Sequence, residues 1–442
     1  MSQLNTLSYI LLDMWHAVSS HLPLLLWLLP LVLLYELPLM LLVVTGIVRF
    51  YHQRYMTIPR QSLYQPDVSC IITCYGEGDA VKATINSLAE QTYAGKVEII
   101  AVVDGAVQNS HTYQAAKAAA AACKLPNRNI IVLPKWQRGG RVSTLNAGLS
   151  IASGEIVINA DADTSFDNTM LTEVVPYFAD PNVPALGGAL RVRNVGDSLL
   201  TRMQAIEYLI SMQGGKTGLA QWNLLNNISG AFGAFRRSFL QQIGGWDTHT
   251  AEDLDLTVRI KQYFGRHPKL RIPFATLAIG HTDAPADLKT LILQRLRWDG
   301  DLLFLYFRKH WPAFSPRLLG LGTYVFTLLY GFMQNVLMPF VIVGYSLGLV
   351  LSFPWQFLVS VSVTIYLLYL AALSFFYLLV LIAISERVKQ DLRLLLFLPL
   401  YPFYAFFMRL VCLFALLNEL VRRSHEESSM APWWVLKRGR KF

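Results

Sequence analysis

Long apolar runs set the strongest limit on how this chain can fold. The first three cover residues 22–48, 318–351 and 355–384. Each is longer than the roughly 20 residues that a helix needs to cross a bilayer. The whole sequence is 54% hydrophobic, with a mean hydropathy of +0.38, which is too apolar for an ordinary soluble enzyme. The pattern predicts transmembrane helices on both sides of a globular insert.

Basic residues indicate which side of the membrane each segment faces. Arg49, His52, Arg54 and Arg60 directly follow the first run, so the positive-inside rule places the next segment in the cytoplasm and the N-terminus outside. The net charge of +9 lies largely beside the apolar runs. That distribution favours a bilayer surface and an anionic substrate over nucleic acid. The four irregularly spaced cysteines predict neither a disulfide framework nor a zinc site.

A fourth apolar run, 393–420, is interrupted by Pro399, Pro402 and Arg409 and has basic residues on both sides. We expect an interfacial or re-entrant segment with the basic tail in the cytoplasm, whereas a true crossing would put the tail outside. The sequence pattern of residues 302–314 predicts an amphipathic helix on the cytoplasmic surface. The predicted organisation has three parts: an N-terminal segment with one transmembrane helix (1–60), a cytoplasmic domain (61–300), and an interfacial helix, transmembrane helices and basic tail (301–442).

Between about residues 66 and 298, short β-rich runs alternate with helical patterns. The runs 68–74 and 97–104 predict buried parallel strands, and 79–91 predicts the helix that connects them. Further helices and strands follow at 115–123, 129–133, 143–152 and 156–161. The alternation predicts an α/β domain with a doubly wound, mostly parallel sheet.

Acidic residues stand where two predicted strands end. Asp104 closes one strand, and Asp161 and Asp163 close another in the sequence I-V-I-N-A-D-A-D. Ligands of open α/β sheets lie beyond the carboxyl ends of the strands, and paired hard oxygen ligands suit Mg²⁺ or Mn²⁺ shared with a diphosphate. A D-x-D motif alone is weak evidence, because most occurrences are chance or a solvated turn, so the neighbouring motifs decide.

Those motifs resemble the membrane-integrated, processive family 2 glycosyltransferases: cellulose, chitin, hyaluronan and poly-N-acetylglucosamine synthases. The matching segments are V-S-C-I-I-T-C-Y-G-E (68–77), V-V-D-G (102–105), D-A-D (161–163), A-E-D (251–253) and Q-R-L-R-W (294–298). The segment 227–239, N-I-S-G-A-F-G-A-F-R-R-S-F, is similar to the acceptor side of the bacterial poly-β-1,6-N-acetylglucosamine synthases. The resemblance implies a GT-A domain inserted between transmembrane helices.

The resemblance also implies roles for individual residues. Asp253, with Glu252 beside it, would form the catalytic pair, and Asp253 would take the proton of the acceptor hydroxyl. Asp161 and Asp163 would hold Mg²⁺ or Mn²⁺. The nucleotide sugar would be bound by Thr73, Tyr75, Glu77, Asp104, Arg141, Asp161, Gln294 and Arg297. The acceptor sugar would be bound by Ser229, Gly230 and Trp298. As an alternative, Glu252 and Asp253 serve only the first turn of a helix, where its dipole favours acids.

The sequence departs from the family pattern at two positions. Ala251 replaces the threonine of the T-E-D motif, which removes a hydroxyl but leaves both acids. Arg141 stands where relatives usually carry lysine, and an arginine can also hold a diphosphate.

We therefore expect an inverting, metal-dependent processive glycosyltransferase of the bacterial inner membrane. It would polymerise a UDP-sugar, with UDP-N-acetylglucosamine first in order, into a β-linked exopolysaccharide of the biofilm type and pass it across the bilayer. A glucan or hyaluronan-like synthase and a non-processive transferase to a lipid acceptor are alternatives, and a nucleotide-binding transporter or receptor is the rival class. Expected partners are the UDP-sugar, the growing polysaccharide, the lipid bilayer and a small membrane accessory subunit, but no nucleic acid.

Overall fold

An eight-stranded sheet forms the middle of the chain. The structure is a computed structural model, and it describes residues 9, 12, 16, 19, 36–56, 63–247, 250–427 and 431–432. The strands are β1 (Val68–Cys74), β2 (Val97–Asp104), β3 (Arg128–Lys135), β4 (Ile156–Asp161), β5 (Ser165–Phe166), β6 (Ala185–Val192), β7 (Phe232–Arg236) and β8 (Phe274–Thr282). Their order in the sheet is β3-β2-β1-β4-β7-β6-β8-β5. Neighbouring strands run parallel except around β7 and at β5, which confirms the predicted mostly parallel sheet.

Helices cover both faces of this sheet and continue beyond it. In the first half of the chain they are α1 (Leu37–Tyr51), α2 (Ala80–Ala89), α3 (Ser110–Ala122), α4 (Arg141–Ile151), α5 (Met170–Val174), α6 (Leu199–Glu207) and α7 (Lys216–Ala220). In the second half they are α8 (Arg237–Gln242), α9 (Glu252–Lys261), α10 (Leu288–Phe304), α11 (Pro316–Leu319), α12 (Leu321–Phe326), α13 (Met338–Ser352), α14 (Trp355–Ala383), α15 (Val388–Leu394) and α16 (Tyr401–Arg422). Turns of π-helix continue α1, α6, α10 and α12 (His52–Met56, Tyr208–Gly215, Leu305–Lys309 and Thr327–Leu337), and four 3₁₀ turns lie at Val175–Ala179, Trp311–Ala313, Leu395–Leu400 and Ser424–Glu427.

The sheet is buried on both faces because its central strands are almost entirely apolar. Along β1, Cys70 and Ile72 face a core that includes α2 and α3, while Ile71 between them faces a core that includes α4 and α9. All three side chains have an exposed fraction of 0%. Burying an aliphatic side chain of this size contributes roughly 1.5–3 kcal/mol, so two-sided packing fixes the strand and therefore the positions of the residues at its end.

Three helical segments in the described part of the chain are long and apolar enough to cross a membrane: Leu321–Ser352, Trp355–Ala383 and Val388–Arg422. The first two agree with the predicted spans. The third contains 393–420, where a 3₁₀ turn around Pro399 separates α15 from α16. By length and composition this segment qualifies as a crossing, and its re-entrant placement stays a prediction. Most of the predicted N-terminal span, 22–48, lies outside the described residues, and α1 is its described end.

The predicted bounds of the helix over 302–314 were wrong, while its place at the membrane surface stays a prediction. Helix α10 carries the Q-R-L-R-W motif, and a π-helical turn extends it to Lys309. The short 3₁₀ turn Trp311–Ala313 follows. Lys309 points toward the globular domain, where its ammonium group pairs with Asp247 at 2.7 Å and Asp255 at 2.8 Å. The sequence pattern missed this because the partners lie more than 50 residues earlier in the chain.

Candidate active site

The predicted acidic residues meet at one edge of the sheet. Asp104 ends β2 and Asp161 ends β4, and both strands pair in parallel with β1. Thr73 near the end of β1 donates to Asp161 over 3.3 Å. Asp163 follows in the turn after β4. The strands therefore bring these groups to the place where ligands of such sheets bind.

Electrostatics at this edge favours a cation. Burial raises the pKa of Asp163 to about 6, and the neighbouring Asp161 carboxylate adds to the rise. Burial also raises the pKa of Glu77 to about 7, with smaller contributions from Asp163 and Asp161. Carboxylates that repel one another in this way are stabilised in the charged form by a divalent ion.

The residues present fit Mg²⁺ or Mn²⁺ bound together with a substrate. Within the described residues, no group of three or more His, Cys, Asp or Glu side chains is arranged to hold a metal by itself. Asp161 and Asp163 therefore supply at most part of a coordination shell. Mg²⁺ is commonly held by one or two carboxylates, with substrate phosphates and water as the remaining ligands.

Arg141 connects four different elements of the site. Its guanidinium donates to the Asp161 carboxylate, to Glu252 at 2.5 Å, to the carbonyl oxygen of Gly230 at 2.6 Å and to Thr73 at 3.2 Å. Its side chain is only 12% exposed. Arg141 therefore holds the strand edge, the segment before β7 and the start of α9 together. Its predicted contact with a diphosphate would add to bonds that the chain already makes.

Asp104 is buried and bonded to the loop that precedes Arg141. One carboxylate oxygen accepts from Lys135 at 2.7 Å and from the Gly139 amide at 2.8 Å, and the other accepts from the Gly140 amide at 2.8 Å. In this arrangement Asp104 fixes the loop that presents Arg141. A direct contact of Asp104 with nucleotide stays a prediction, and Lys135 is a partner that sequence reasoning missed.

Tyr75 and Glu77 lie in the loop after β1. The Tyr75 amide donates to the Glu77 carboxylate at 2.6 Å, which closes a tight turn. The Tyr75 ring is 45% exposed, and the Arg138 guanidinium lies over it at 4.1 Å. An exposed aromatic face beside a cation suits a planar base.

Asp253 and Glu252 begin α9 but have different surroundings. Glu252 is buried, and burial raises its pKa while the bonded Arg141 opposes the rise. Asp253 is half-buried, and its Oδ2 accepts from Asn227 at 3.3 Å and from the Gly230 amide at 3.1 Å. Of the two carboxylates, that of Asp253 is the more accessible to solvent. Ala251, at the cap position of α9, has left-handed backbone (φ +45°) and caps the helix with no side-chain hydrogen bond.

Gly230 lies close to three residues of the site. A Cβ at this position would lie 3.1 Å from the Glu252 carboxylate, 3.5 Å from the Arg141 guanidinium and 3.6 Å from the Asp253 Cβ. Its amide and carbonyl are both bonded to site residues. Ser229, next to it, forms an isolated β-bridge with Phe232. Of the three predicted acceptor-side residues, Gly230 is the one whose amide bonds to Asp253.

The Q-R-L-R-W helix separates its two arginines. Arg295 is buried, pairs with Glu207 at 2.8 Å and covers the Trp298 ring at 4.7 Å. Arg297 is half-buried, and no described residue pairs or hydrogen-bonds with it. A buried Gln294 side-chain oxygen likewise has no partner among the described residues. Since unpaired buried polar atoms are rare in native proteins, the Gln294 oxygen is suited to receive a ligand. The half-buried Arg297 lies just under one helical turn further along the same helix face.

Two further charged residues near the site were missed from the sequence. Lys216, in α7, is buried, and burial lowers its pKa to about 8 while the nearby Asp253 acts in the opposite direction. Asp301 is buried one helical turn after Arg297, and burial raises its pKa well above the usual range while Arg297 opposes the rise. The signal for Lys216 was a lone lysine in the glycine-rich segment G-G-K-T-G.

Comparison with known proteins agrees with this geometry. The family model described as "Glycosyltransferase like family 2" matches residues 66–300. Poly-beta-1,6-N-acetyl-D-glucosamine synthase of Staphylococcus aureus (strain MSSA476) is 29% identical over 266 residues, which cover 58% of this chain and 60% of that protein. The synthase of the same name from Staphylococcus epidermidis is 28% identical over 262 residues, 59% of this chain and 60% of that protein. The chain thus spans about 60% of the length of the curated relatives it matches.

A solved structure shares the fold. The mannosyltransferase PcManGT from Pyrobaculum calidifontis, in complex with GDP-Man and Mn²⁺, aligns with a TM-score of 0.52 at 18% identity and covers 87% of this chain and 99% of that chain. This likeness supports the predicted GT-A fold class and extends into the helices outside the sheet.

Proposed function

Because the chain belongs to glycosyltransferase family 2, we propose that it is an inverting, metal-dependent, processive polysaccharide synthase. The donor is a UDP-sugar, with UDP-N-acetylglucosamine as the first candidate, and the product is a β-linked exopolysaccharide that crosses the bacterial inner membrane. The staphylococcal relatives are poly-beta-1,6-N-acetyl-D-glucosamine synthases, which supports the choice of amino sugar. The three apolar helices support association with a bilayer, with the catalytic domain in the cytoplasm and a small accessory subunit as a further partner.

One observation carries this proposal. The half-buried Asp253 carboxylate lies beside Gly230, and Arg141 joins Gly230 to the Asp161 end of the strand edge. A proton acceptor and a diphosphate-binding edge therefore share one rigid frame. A site that only bound nucleotide would have no use for the acceptor-side carboxylate.

The reaction follows from these positions. Asp253 accepts the proton of the acceptor hydroxyl as its oxygen attacks the anomeric carbon of the donor. The bond to UDP breaks on the opposite side, and negative charge develops on the departing diphosphate. Arg297, which has no partner among the described residues, stabilises that charge, with Gln294 beside it on the same helix face. Asp161 and Asp163 would hold a divalent ion, which would supply Lewis-acid stabilisation of the same diphosphate.

Other residues bind and orient. Glu252 holds Arg141 in place. Tyr75 provides an exposed ring for the base, and Trp298 provides a half-buried ring for the acceptor sugar. Thr73 and Glu77 line the nucleotide side, and Asp104 fixes the loop that carries Arg141. Ser229 and Gly230 form the wall next to Asp253.

A second donor is favoured by one comparison, since the structural neighbour is a mannosyltransferase in complex with GDP-Man. A donor panel separates the candidates. Purified full chain in detergent with Mn²⁺ is given UDP-N-acetylglucosamine, UDP-glucose, UDP-glucuronate or GDP-mannose, alone and in pairs, and release of nucleoside diphosphate is measured. We expect the highest rate with UDP-N-acetylglucosamine alone. Preference for GDP-mannose, or a requirement for two donors, would replace the proposed substrate, and release from none would refute the proposal.

A further inference from the structure

A cavity lies at the edge of the sheet opposite the candidate active site. Its volume is about 560 Å³, and it lies between the end of α1, the segment after α7 and the start of β8. Phe274 at the start of β8 lines it, and β8 runs in the same direction as β4, whose far end carries Asp161. The cavity is therefore separate from the predicted nucleotide site.

Three arginines line this cavity: Arg49, Arg54 and Arg271. Arg54 pairs with Glu173 at 3.1 Å, and Arg271 pairs with Asp180 at 2.9 Å. No described carboxylate pairs with Arg49, whose guanidinium lies 5.3 Å from the centre of the Trp222 ring. The cavity thus has an excess of positive charge that the described part of the protein does not neutralise.

The cavity lies at the C-terminal end of the apolar helix α1. The indole N–H of Trp222 donates to the Leu42 carbonyl in α1 at 3.0 Å. A Cβ on Gly46 would lie 2.1 Å from the Gly218 carbonyl oxygen, so α1 and α7 cross with their backbones in contact. Leu41 and Val48 of α1 are at least 50% exposed, as expected of a surface that meets lipid. Trp222, itself 40% exposed, has the amphipathic ring that is enriched at membrane interfaces.

We propose that this cavity binds the phosphate group of an anionic phospholipid, with the acyl chains lying along α1. Guanidinium groups bind phosphate through paired, charge-assisted hydrogen bonds. The volume is within the range of pockets that enclose a small-molecule group. A headgroup in the cytoplasmic leaflet would reach the cavity from the lipid-facing side of α1. A soluble phosphate ester would gain nothing from a cavity placed beside the membrane.

The test uses the full chain purified in a neutral detergent. Its thermal unfolding is followed while short-chain phosphatidylglycerol, short-chain phosphatidylcholine or inorganic phosphate is added at matched concentrations. A ligand that binds only the folded state raises the midpoint as its concentration exceeds Kd. We expect phosphatidylglycerol to raise the midpoint more than either of the other two additions.

The variants Arg49→Gln and Arg271→Gln are compared with Arg266→Gln, which removes the same charge from an exposed position outside the cavity. Loss of one guanidinium near an anionic lipid should weaken apparent affinity about fivefold, and Arg266→Gln should respond like the unmodified chain. If Arg271→Gln unfolds early without lipid, Arg49→Gln decides, because it breaks no ion pair among the described residues.

The outcomes separate the sources of phosphate. An equal response to phosphatidylglycerol and phosphatidylcholine would overturn the proposal, as would an unchanged response in Arg49→Gln. Stabilisation by inorganic phosphate equal to that by phosphatidylglycerol would overturn the lipid assignment and leave a site for a soluble anion.

Discussion

Removing the Arg141 guanidinium tests how the site is held together. In Arg141→Gln the buried Glu252 carboxylate loses its bonded cation, and the Gly230 carbonyl loses a donor. Asp161 also loses a partner, but its side chain is 30% exposed and water can replace the bond. We therefore expect most of the loss in stability to come from Glu252.

The magnitude follows from burial. The side chains of Arg141 and Glu252 are 12% and 6% exposed, and removing one partner of a buried ion pair costs roughly 3–5 kcal/mol. For a domain of about 150–250 residues, each kcal/mol lowers Tm by about 2–4 °C, so the expected fall is about 6–20 °C. Burial already raises the pKa of Glu252, so Glu252 becomes protonated as the pH falls. The fall in Tm caused by Arg141→Gln should then approach the lower end of this range.

The assay is thermal unfolding of Arg141→Gln, Glu252→Gln and the double variant in one detergent. The double variant should be more stable than Arg141→Gln, because no buried carboxylate is left without a cation. Arg193→Gln is the matched control, since its pair with Asp283 is 37% and 49% exposed and is worth about 0–1 kcal/mol. A Tm loss in Arg141→Gln no larger than in the control, or full additivity in the double variant, would refute the reasoning.

Three further predictions concern the donor side. Asp163→Ala should weaken UDP binding far more in Mn²⁺ than in EDTA, measured by calorimetric titration, and equal losses would assign a structural role. Because the pKa of Asp163 is raised to about 6, its proton competes with the metal below that pH; affinity for UDP with Mn²⁺ should fall between pH 7 and pH 5 in the unmodified chain, and a flat profile would contradict this. Arg297→Ala should lower kcat by about 10² with a modest change in KM, and Arg297→Lys should recover only part of the rate; full recovery by lysine in steady-state kinetics would argue against a diphosphate role.

The first half of the sheet could be predicted from the sequence, and the second half could not. The bounds 68–74, 97–104 and 156–161 agree with β1, β2 and β4, because strands buried on both faces are continuous runs of β-branched and apolar residues. Strand β6, A-L-G-G-A-L-R-V, has no such run. Its Gly188 leaves room for the Phe232 ring, which a Cβ would approach to 2.1 Å. That requirement comes from β7, more than 40 residues later, so no local pattern shows it.

The residue types of the site were predictable, but their partners were not. Motif order identified Asp161, Arg141, Glu252 and Asp253, yet Arg141 bonds to groups from four elements far apart in the chain. In Q-R-L-R-W the motif resemblance selected Arg297, but the sequence did not show what holds the other arginine away. Glu207 does so by pairing with Arg295, which leaves Arg297 free of described partners.

Two measurements on Asp253→Asn, polymer synthesis and UDP affinity, test most directly whether Asp253 is the catalytic base. We expect the unmodified chain to make polymer from a UDP-sugar and Asp253→Asn to make none. Both should bind UDP within about threefold of each other, because the base acts on the acceptor and not on the nucleotide. Asp197→Asn, which alters an exposed aspartate away from the site, should keep full synthesis. Synthesis by Asp253→Asn above a few per cent of the unmodified rate would show that Asp253 is not the catalytic base.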